Sequence, residues 1–431
     1  MENKNAIKRF LAMAGLVALA EIALLASGNG GHLISGVILF VFFYLLAFAA
    51  QKTEKFKGLS FTLQIFAFVS FTLYFPQLFT FWGDFNTNKL VVPSIQVIMF
   101  GMGTKLNFMD FVNEFKKPLG IIVGTVLVFV AMPIAALIVI KIWNFPPEVA
   151  AGIILIGACP GGAASNVMAY LAKANLPLSV TLTTFATLLA PVVTPFIMVV
   201  FAGQFIEVNF VNMLVSITNM MLIPILAGIL INKILYGNLD WVKKDANMMI
   251  LAAAAFIAGL ILIFVPFSGI WASLKIGLIL ISWTVTIVAI TMIVMRRVNG
   301  PKNWMDMVLP KLSLSAIMIY IVVVAAHNQQ TLLTIGAALF LAVILHSTLG
   351  FLAGYGVSKA LRFSDADVRA ITIEVGMKNG GLAVGLAYDV LKSTAAALAP
   401  LIFGTWMNIA GSSLASFWSR IPVKEPKAKK N

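Results

Sequence analysis

The segment ITIEVGMKNGGLAVG, residues 371–385, places a carboxylate, an ammonium and an amide inside a long apolar stretch of the chain. Glu374, Lys378 and Asn379 stand there among four glycines, where a helix embedded in lipid would carry leucine. A charge at the bilayer centre costs about 2.5–3.5 kcal/mol even on lenient scales, so intramembrane charges usually serve a function. The segment therefore predicts half of an ion and substrate site, although Glu374 and Lys378, spaced i and i+4, also fit a structural ion pair.

The composition excludes a soluble globular protein. Of the 431 residues, 61% are hydrophobic and only 11% are charged, and the single cysteine, Cys159, excludes disulfides. Apolar runs long enough to cross about 30 Å of hydrocarbon recur along the whole chain. We predict an all-α polytopic membrane protein of about 14 transmembrane helices, at residues 10–27, 33–51, 59–77, 90–104, 119–141, 148–172, 177–201, 210–234, 247–266, 271–295, 307–326, 331–360, 367–389 and 397–419.

A second segment breaks the helical pattern at membrane depth. It reads GACPGGAASNVMAY, residues 157–170, with Pro160, Gly161 and Gly162 shortly before Ser165 and Asn166. Irregular backbone within a membrane is tolerated only where it is buried in protein or lines a polar cavity. Two such breaks at corresponding positions of two halves are typical of an inverted-repeat secondary transporter. The alternative for either segment alone is that the glycines serve close helix packing.

The basic residues indicate the orientation. With the N-terminus in the cytoplasm, 25 of the 30 Lys and Arg residues fall on the inner side, and only four fall on the outer side. This distribution predicts that both termini are cytoplasmic. The formal charge of +14 is therefore explained by topology and by contact with anionic membrane lipid, and nucleic acid is not expected as a partner.

Four motifs carry a family resemblance: the stretch 157–195 that begins GACPGGAASN, IEVGMKNGGLA at 373–383, FGMG at 100–103 and WMNIAGS at 406–412. The chain resembles the bile acid:sodium symporter family, bacterial branch, from about residue 58 to 420. The resemblance implies a ten-helix inverted-repeat core with two crossing broken helices, to which four extra helices are added. It also implies a bacterial-type inner (plasma) membrane location and secondary active transport of an organic anion, such as a bile acid, pantothenate or a keto acid. No enzymatic activity and no oligomeric state follow from it.

The resemblance also implies a division into a panel domain and a core domain. The two extra hairpins fall outside this pattern, and they either pack on the panel or mediate oligomerisation, or simply face lipid. The predicted segments are an extra N-terminal hairpin at 1–57, a first panel segment at 58–104, a first core segment with the first broken helix at 105–209, a second panel segment at 210–246, an extra hairpin at 247–300, a third panel segment at 301–328, a second core segment with the second broken helix at 329–420 and a basic cytoplasmic tail at 421–431.

The first sodium site of the family is complete in this chain. Its implied ligands are Ser165, Asn166, Ser179, Thr183 and Glu374. Hard oxygen ligands with one carboxylate suit a small hard cation. One sodium ion is therefore the expected coupling ion.

The second sodium site departs from the family pattern. The two glutamine positions of sodium-coupled relatives align with Val128 and Lys378, while the carbonyls of Val375 and Met377 remain. We hypothesise that the ammonium of Lys378 replaces the second sodium. A stranded Glu374 carboxylate would otherwise cost several kcal/mol in a low-dielectric site. Coupling to protons, or no sodium coupling, is the alternative.

The substrate is expected beside the crossing point of the two breaks. Backbone amides at half-helix ends and asparagine side chains can donate to a carboxylate. The candidate substrate-binding residues are Gly161, Gly162, Ala163, Asn379, Asn408 and Met407. A less favoured alternative is an arsenite-type permease, which would use the thiol of Cys159.

Overall fold

The computed structural model describes residues 2–26, 33–53, 59–105, 118–236, 240–268, 270–301 and 303–423. Helices form almost all of this part of the chain, and a helix or a broken helix pair occupies each of the 14 segments predicted from the sequence. Residues 424–431 of the predicted basic tail lie outside the described residues. The helices are α1 Glu2–Ala26, α2 Leu33–Gln51, α3 Ser60–Tyr74, α4 Val91–Gly103, α5 Pro118–Trp143, α6 Pro147–Ala158, α7 Ala163–Leu171, α8 Leu176–Ala202, α9 Phe210–Ile217 continued through a π-helical turn by Ile223–Tyr236, α10 Asp245–Phe264, α11 Ile270–Arg297, α12 Trp304–His327, α13 Gln329–Ala360, α14 Asp365–Gly376, α15 Gly380–Asp389 and α16 Leu398–Ser419.

Between α3 and α4 the chain forms a single helical turn at Gln77–Thr80 and a small antiparallel hairpin. Its strands are β1 Phe81–Trp82 and β2 Phe85–Asn86. Short 3₁₀ turns at Thr87–Leu90, Asp240–Lys243 and Ala395–Ala397 precede α4, α10 and α16. The strands are thus limited to one surface connection, within the residues that the structure describes.

The helices have the length and polarity of membrane spans. Nine of those described are long and apolar enough to cross a bilayer, and α6 with α7 makes a tenth, bent by 57° at its break. Such helices satisfy their own backbone hydrogen bonds, which the hydrocarbon interior requires. The protein is therefore an all-α polytopic membrane protein, and the count of 14 crossings stays a prediction.

The two broken pairs, α6–α7 and α14–α15, lie in a bundle with α5, α8, α13 and α16. Helix α13 packs on α14, α5 and α16, and α8 packs on α5. Glycines permit the closest approaches: a Cβ on Gly380 would lie 3.0 Å from the Cα of Gly404, and one on Gly157 would lie 3.0 Å from the carbonyl oxygen of Met132. Glycine packing and the breaks therefore occur together in these segments.

Helices α3, α4, α9 and α12 form a second group. Helix α4 packs on α9 and α12, and α12 packs on α3. The extra hairpins join this group: α2 lies along α3, where Phe40 contacts the rings of Phe68 and Phe71, and α11 lies along α9. Most of the apolar window of α10 is exposed, since only 17% of it is buried within the chain. Each hairpin therefore contacts the predicted panel helices on one face, and α10 leaves much of its surface for lipid.

Candidate functional site

The two helix breaks touch each other inside the bundle. The backbone N–H of Asn379 donates to the carbonyl oxygen of Pro160 at 2.8 Å, so one break is hydrogen-bonded to the other. Helix α6 ends before this point and α7 begins after it, as do α14 and α15. Four helix ends therefore converge, and their partial charges can hold both anions and cations.

Oxygen atoms from two helices, α7 and α8, cluster at Glu374 of α14, which is 1% exposed. Ser179 Oγ lies 2.6 Å from Glu374 Oε1 and 2.9 Å from Asn166 Oδ1. Thr183 Oγ1 lies 2.8 Å from Glu374 Oε2 and 3.2 Å from Asn166 Oδ1. Ser179 and Thr183 stand one turn apart on α8, so both hydroxyls face the same way.

This cluster contains more acceptors than hydrogens. The two hydroxyls carry one hydrogen each. They face three side-chain acceptors, the two oxygens of the Glu374 carboxylate and Asn166 Oδ1. Thr183 Oγ1 also approaches the carbonyl of Ser179 at 3.0 Å, which already accepts a helical N–H. A small cation among these oxygens would satisfy the lone pairs that lack a hydrogen, as hard cations do with carboxylate and carbonyl ligands. The residues present thus fit a sodium ion.

Ser165 and Gly161 complete the surroundings of this oxygen cluster. Ser165 is fully buried and donates its hydroxyl to the carbonyl of Gly162 at 2.6 Å. A Cβ on Gly161 would lie 2.6 Å from Glu374 Oε2 and 3.7 Å from the Met377 carbonyl oxygen. Gly161 therefore lies beside the oxygen cluster, and the absence of a side chain there lets the first break approach the carboxylate.

Lys378 is fully buried and binds two backbone carbonyls. Its Nζ donates to the oxygen of Val128 at 2.5 Å and to that of Cys159 at 3.1 Å. Val128 lies on α5 next to Phe129, whose carbonyl has no helical N–H partner because Pro133 stands four residues later. Lys378 and Glu374 form no ion pair within 4.0 Å, both being described residues. The ammonium is therefore bound by carbonyl oxygens, and not directly by the carboxylate.

The other residues of the predicted second site are fully or almost fully buried. Val128 is 1% exposed, and Val375 and Met377 are 0% exposed. Val128 accepts a hydrogen bond from Lys378 through its backbone oxygen. Its apolar side chain is thus compatible with a cation that is carried by the chain itself.

A cavity of about 610 Å³ lies beside the crossing breaks. Helices α3, α4 and α12 form one wall, and α7, α15 and α16 form the other. Five of the predicted substrate residues line it, and Gly161 does not; they are Gly162, Ala163, Asn379, Met407 and Asn408. It extends toward the end of the molecule at which α3 begins, α4 ends and α12 begins, since Phe61, Lys105 and Leu309 line it there.

The two asparagines differ in their free donors. Asn379 caps α15 through its Oδ1, which accepts from the N–H of Leu382 at 3.0 Å, while its Nδ2 faces only the thioether of Met99 at 3.6 Å. A thioether is a weak acceptor, so a carboxylate would replace it readily. Asn408 donates its Nδ2 to the Gly404 carbonyl of its own helix. Asn379 is therefore the better placed donor.

Sequence reasoning missed several residues of the cavity wall. Tyr320 and Ser313 of α12 and Met99 of α4 line the cavity, and so does Lys105. Lys105 is the second residue after the FGMG motif, and that position was the available signal. Cys159 is fully buried and is not among the lining residues, within the described part of the chain.

A family model described as Sodium Bile acid symporter family matches residues 92–275. The uncharacterized sodium-dependent transporter YocS of Bacillus subtilis is 32% identical over 378 residues, covering 88% of this chain and 96% of its own. The chain belongs to the sodium bile acid symporter family.

Other relatives share the family across kingdoms. The probable sodium/metabolite cotransporter BASS1 of Arabidopsis thaliana chloroplasts is 28% identical, covering 79% of this chain and 69% of its own. The human ileal sodium/bile acid cotransporter is 30% identical over a shorter region, 42% of this chain and 52% of its own. The chain is thus a multi-pass membrane transporter of this symporter family and not an enzyme. The resemblance to the family drawn from its motifs is confirmed.

Proposed function

We propose that this protein couples the transport of an organic anion to one sodium ion by alternating access. The observation that carries this proposal is the buried cluster of Glu374, Ser179, Thr183 and Asn166, in which oxygen acceptors outnumber hydrogens. Sodium binds there, with Ser165 at the first break as a further ligand. The names of the relatives, a sodium-dependent transporter and a probable sodium/metabolite cotransporter, support the choice of ion.

Lys378 takes the place of a second sodium. Its ammonium is held by the carbonyls of Val128 and Cys159, a coordination that a sodium ion could also adopt. A positive charge near the buried Glu374 limits the cost of burying that carboxylate, which would be strongly unfavourable without compensation. Because the charge is covalently attached, transport requires one sodium fewer.

The substrate is a small molecule that carries a carboxylate. The cavity wall includes Lys105 and Lys378, and no aspartate or glutamate among the described residues lines it. Most of the remaining wall is apolar, with Met99, Met168 and Met407 contributing flexible thioether side chains. Such a wall suits an anion with an apolar body. The carboxylate is received at the start of α15, where the side-chain Nδ2 of Asn379, now bonded weakly to the Met99 thioether, can donate to it.

The predicted panel and core domains are the units that move. The two helix groups meet across the cavity, and the breaks belong wholly to the core. The cavity extends toward the end of the molecule at which α3 and α12 begin. The distribution of Lys and Arg assigns this end to the cytoplasm. The conformation is therefore the inward-facing one, and both termini lie in the cytoplasm of a bacterial-type cell.

The proposal is tested by uptake of taurocholate, pantothenate and pyruvate into proteoliposomes with an inward sodium gradient. We expect at least one of these carboxylates to accumulate with sodium outside and not with choline outside. Glu374→Gln should abolish the sodium-driven accumulation. Glu148→Gln, at the start of α6 and away from the cluster, should retain it. If a proton gradient in choline medium drove equal accumulation, transport would be coupled to protons instead of sodium.

A further inference from the structure

Lys105 is the exposed basic residue of the cavity wall. It follows α4, and its side chain is 54% exposed, whereas Lys378 is completely buried and held by carbonyls. We propose that Lys105 receives the carboxylate of the entering or leaving organic anion at the cavity mouth, exchanging Asp306 for the substrate, and thereby selects anions over neutral molecules. This inference rests on the proposed function, because it takes the substrate to be an organic anion.

The position of Lys105 allows two alternative partners, Asp306 and a substrate carboxylate in the cavity. It forms an ion pair with Asp306, which lies in the first turn of α12. Lys105 lines the cavity and Asp306 does not, both residues lying in the described part of the chain. The aspartate thus binds the ammonium from outside the set of residues that line the cavity.

The ion pair is weak enough to exchange. Both side chains are about half exposed, at 54% and 42%, and ion pairs in water contribute little because solvent screens them. A substrate carboxylate offers the same chemistry as Asp306 and can replace it at a small cost. With no acidic residue among the described lining, the anion meets no repulsive carboxylate on the wall itself.

The ion pair is not needed to hold α4 against α12. These helices already pack closely, since a Cβ on Gly101 of α4 would lie 2.7 Å from the Oγ of Ser313 on α12. If the ion pair were only a structural clamp, removal of either partner would have the same effect. If Lys105 docks the anion, removal of the two partners must have opposite effects.

The first test measures KM from the cavity side. Uptake of taurocholate, pantothenate or pyruvate, whichever is carried, is followed in inside-out membrane vesicles with sodium outside. We expect Lys105→Gln to raise KM about fivefold and Asp306→Asn to lower it about twofold, as charges at a binding-site rim act mainly on encounter. The matched control is the ion pair of Lys359 and Asp365, whose side chains are 52% and 23% exposed and do not line the cavity. Equal increases in KM for Lys105→Gln and Asp306→Asn would overturn the proposal.

The second test requires no substrate. Val167 of α7 is 56% exposed on the opposite wall, and in Val167→Cys it can be modified by anionic 2-sulfonatoethyl or cationic trimethylammonioethyl methanethiosulfonate. The anionic-to-cationic rate ratio should fall about threefold with Lys105→Gln and rise with Asp306→Asn, since local charge steers reagents. Lys359→Gln and Asp365→Asn should leave it unchanged. If the rate ratio is unaltered in Lys105→Gln and Asp306→Asn, Lys105 is not an anion-docking residue. If the ratio shifts in these variants but the protein shows no sodium-driven uptake, only the proposed function is rejected.

Discussion

The carboxylate of Glu374 is held by two hydroxyls from successive turns of α8, Ser179 and Thr183. Both hydroxyls also face Asn166 Oδ1. Replacing either hydroxyl by a methyl group removes a proposed cation ligand and a hydrogen-bond partner of the carboxylate in one step. Asn166 belongs to the first break and Glu374 to the second, so a cation at this cluster would bind the two broken helices together.

A pair of isosteric variants on one helix separates a sodium ligand from a structural hydroxyl. Thr183→Val should raise the half-saturating sodium concentration about tenfold, the equivalent of about 1.4 kcal/mol. The control is Thr187→Val one turn later, where the hydroxyl bonds only to the carbonyl of Thr183 and the change should stay under about twofold. The half-saturating sodium concentration is measured for both variants from the sodium dependence of uptake. An equal shift in the two would show that Thr183 is not a ligand.

The second prediction concerns Lys378. Lys378→Gln alone should keep sodium activation non-cooperative, because Val128 offers no side-chain ligand. The double variant Lys378→Gln with Val128→Gln should become cooperative, with a Hill coefficient that approaches about 2 as a second cation site is restored. Sodium activation curves at fixed substrate provide the measurement. Cooperative activation in the wild type would contradict the replacement of the second sodium.

At the residue scale, local motifs indicated the ligand types but not the partners of the ammonium. Glu374, Ser179 and Thr183 were predicted by motif and do meet in the structure. The binding of Lys378 to the Val128 carbonyl could not be read from the sequence, since it depends on the approach of α5, 250 residues away along the chain. Long-range approaches of backbone to a side chain leave no local pattern.

At the element scale, the side of the breaks opposite the cavity is closed by close packing. A Cβ on Gly385 of α15 would lie 2.6 Å from Ile95 Cδ1 on α4 and 2.8 Å from Met220 Sδ on α9. One turn further along α15, Asp389 accepts a hydrogen bond from Ser216 of α9. These contacts join the two helix groups, so outward opening must break them.

A bulky residue at Gly385 should therefore favour the outward-facing state. In Gly385→Leu the side chain cannot fit among its neighbours, and overpacking of this kind costs about 1–3 kcal/mol. A cysteine at Ser216 should then react faster with an impermeant maleimide added from outside. Gly356→Leu is the matched control, because nothing lies within 4 Å of its Cβ position. Unchanged labelling in the Gly385 variant would show that this contact does not move.

Element positions were largely predictable, since apolar length defines spans and glycine clusters, with Pro160 in the first, mark the breaks. Residue type also favours N-caps such as Ser364 and Asn175, whose side chains accept from the N–H groups of Asp367 and Leu178. The placement of the extra hairpins was not predictable. Their contacts with α3 and α9 depend on surfaces as apolar as their lipid-facing sides, so composition does not distinguish the two.

At the scale of the whole molecule, Arg369 ties the core helices together. Its guanidinium donates to the carbonyls of Ala172, Trp418 and Ile421, so the ends of α7 and α16 are bound to α14. Helix α13 adds contacts with α14, α5 and α16. This network supports motion of the proposed core as one body, with the cavity and the cation cluster changing access together.

The central claim is a single sodium ion bound among Glu374, Ser179, Thr183 and Asn166. The most direct test is the thermal stability of purified protein titrated with NaCl against choline chloride at constant ionic strength. A ligand that binds only the folded state adds about 2.7 kcal/mol at 100 times its Kd. We predict a saturable, single-site, sodium-specific rise in Tm that disappears in Glu374→Gln. Equal curves for NaCl and choline chloride in the wild type would contradict the account.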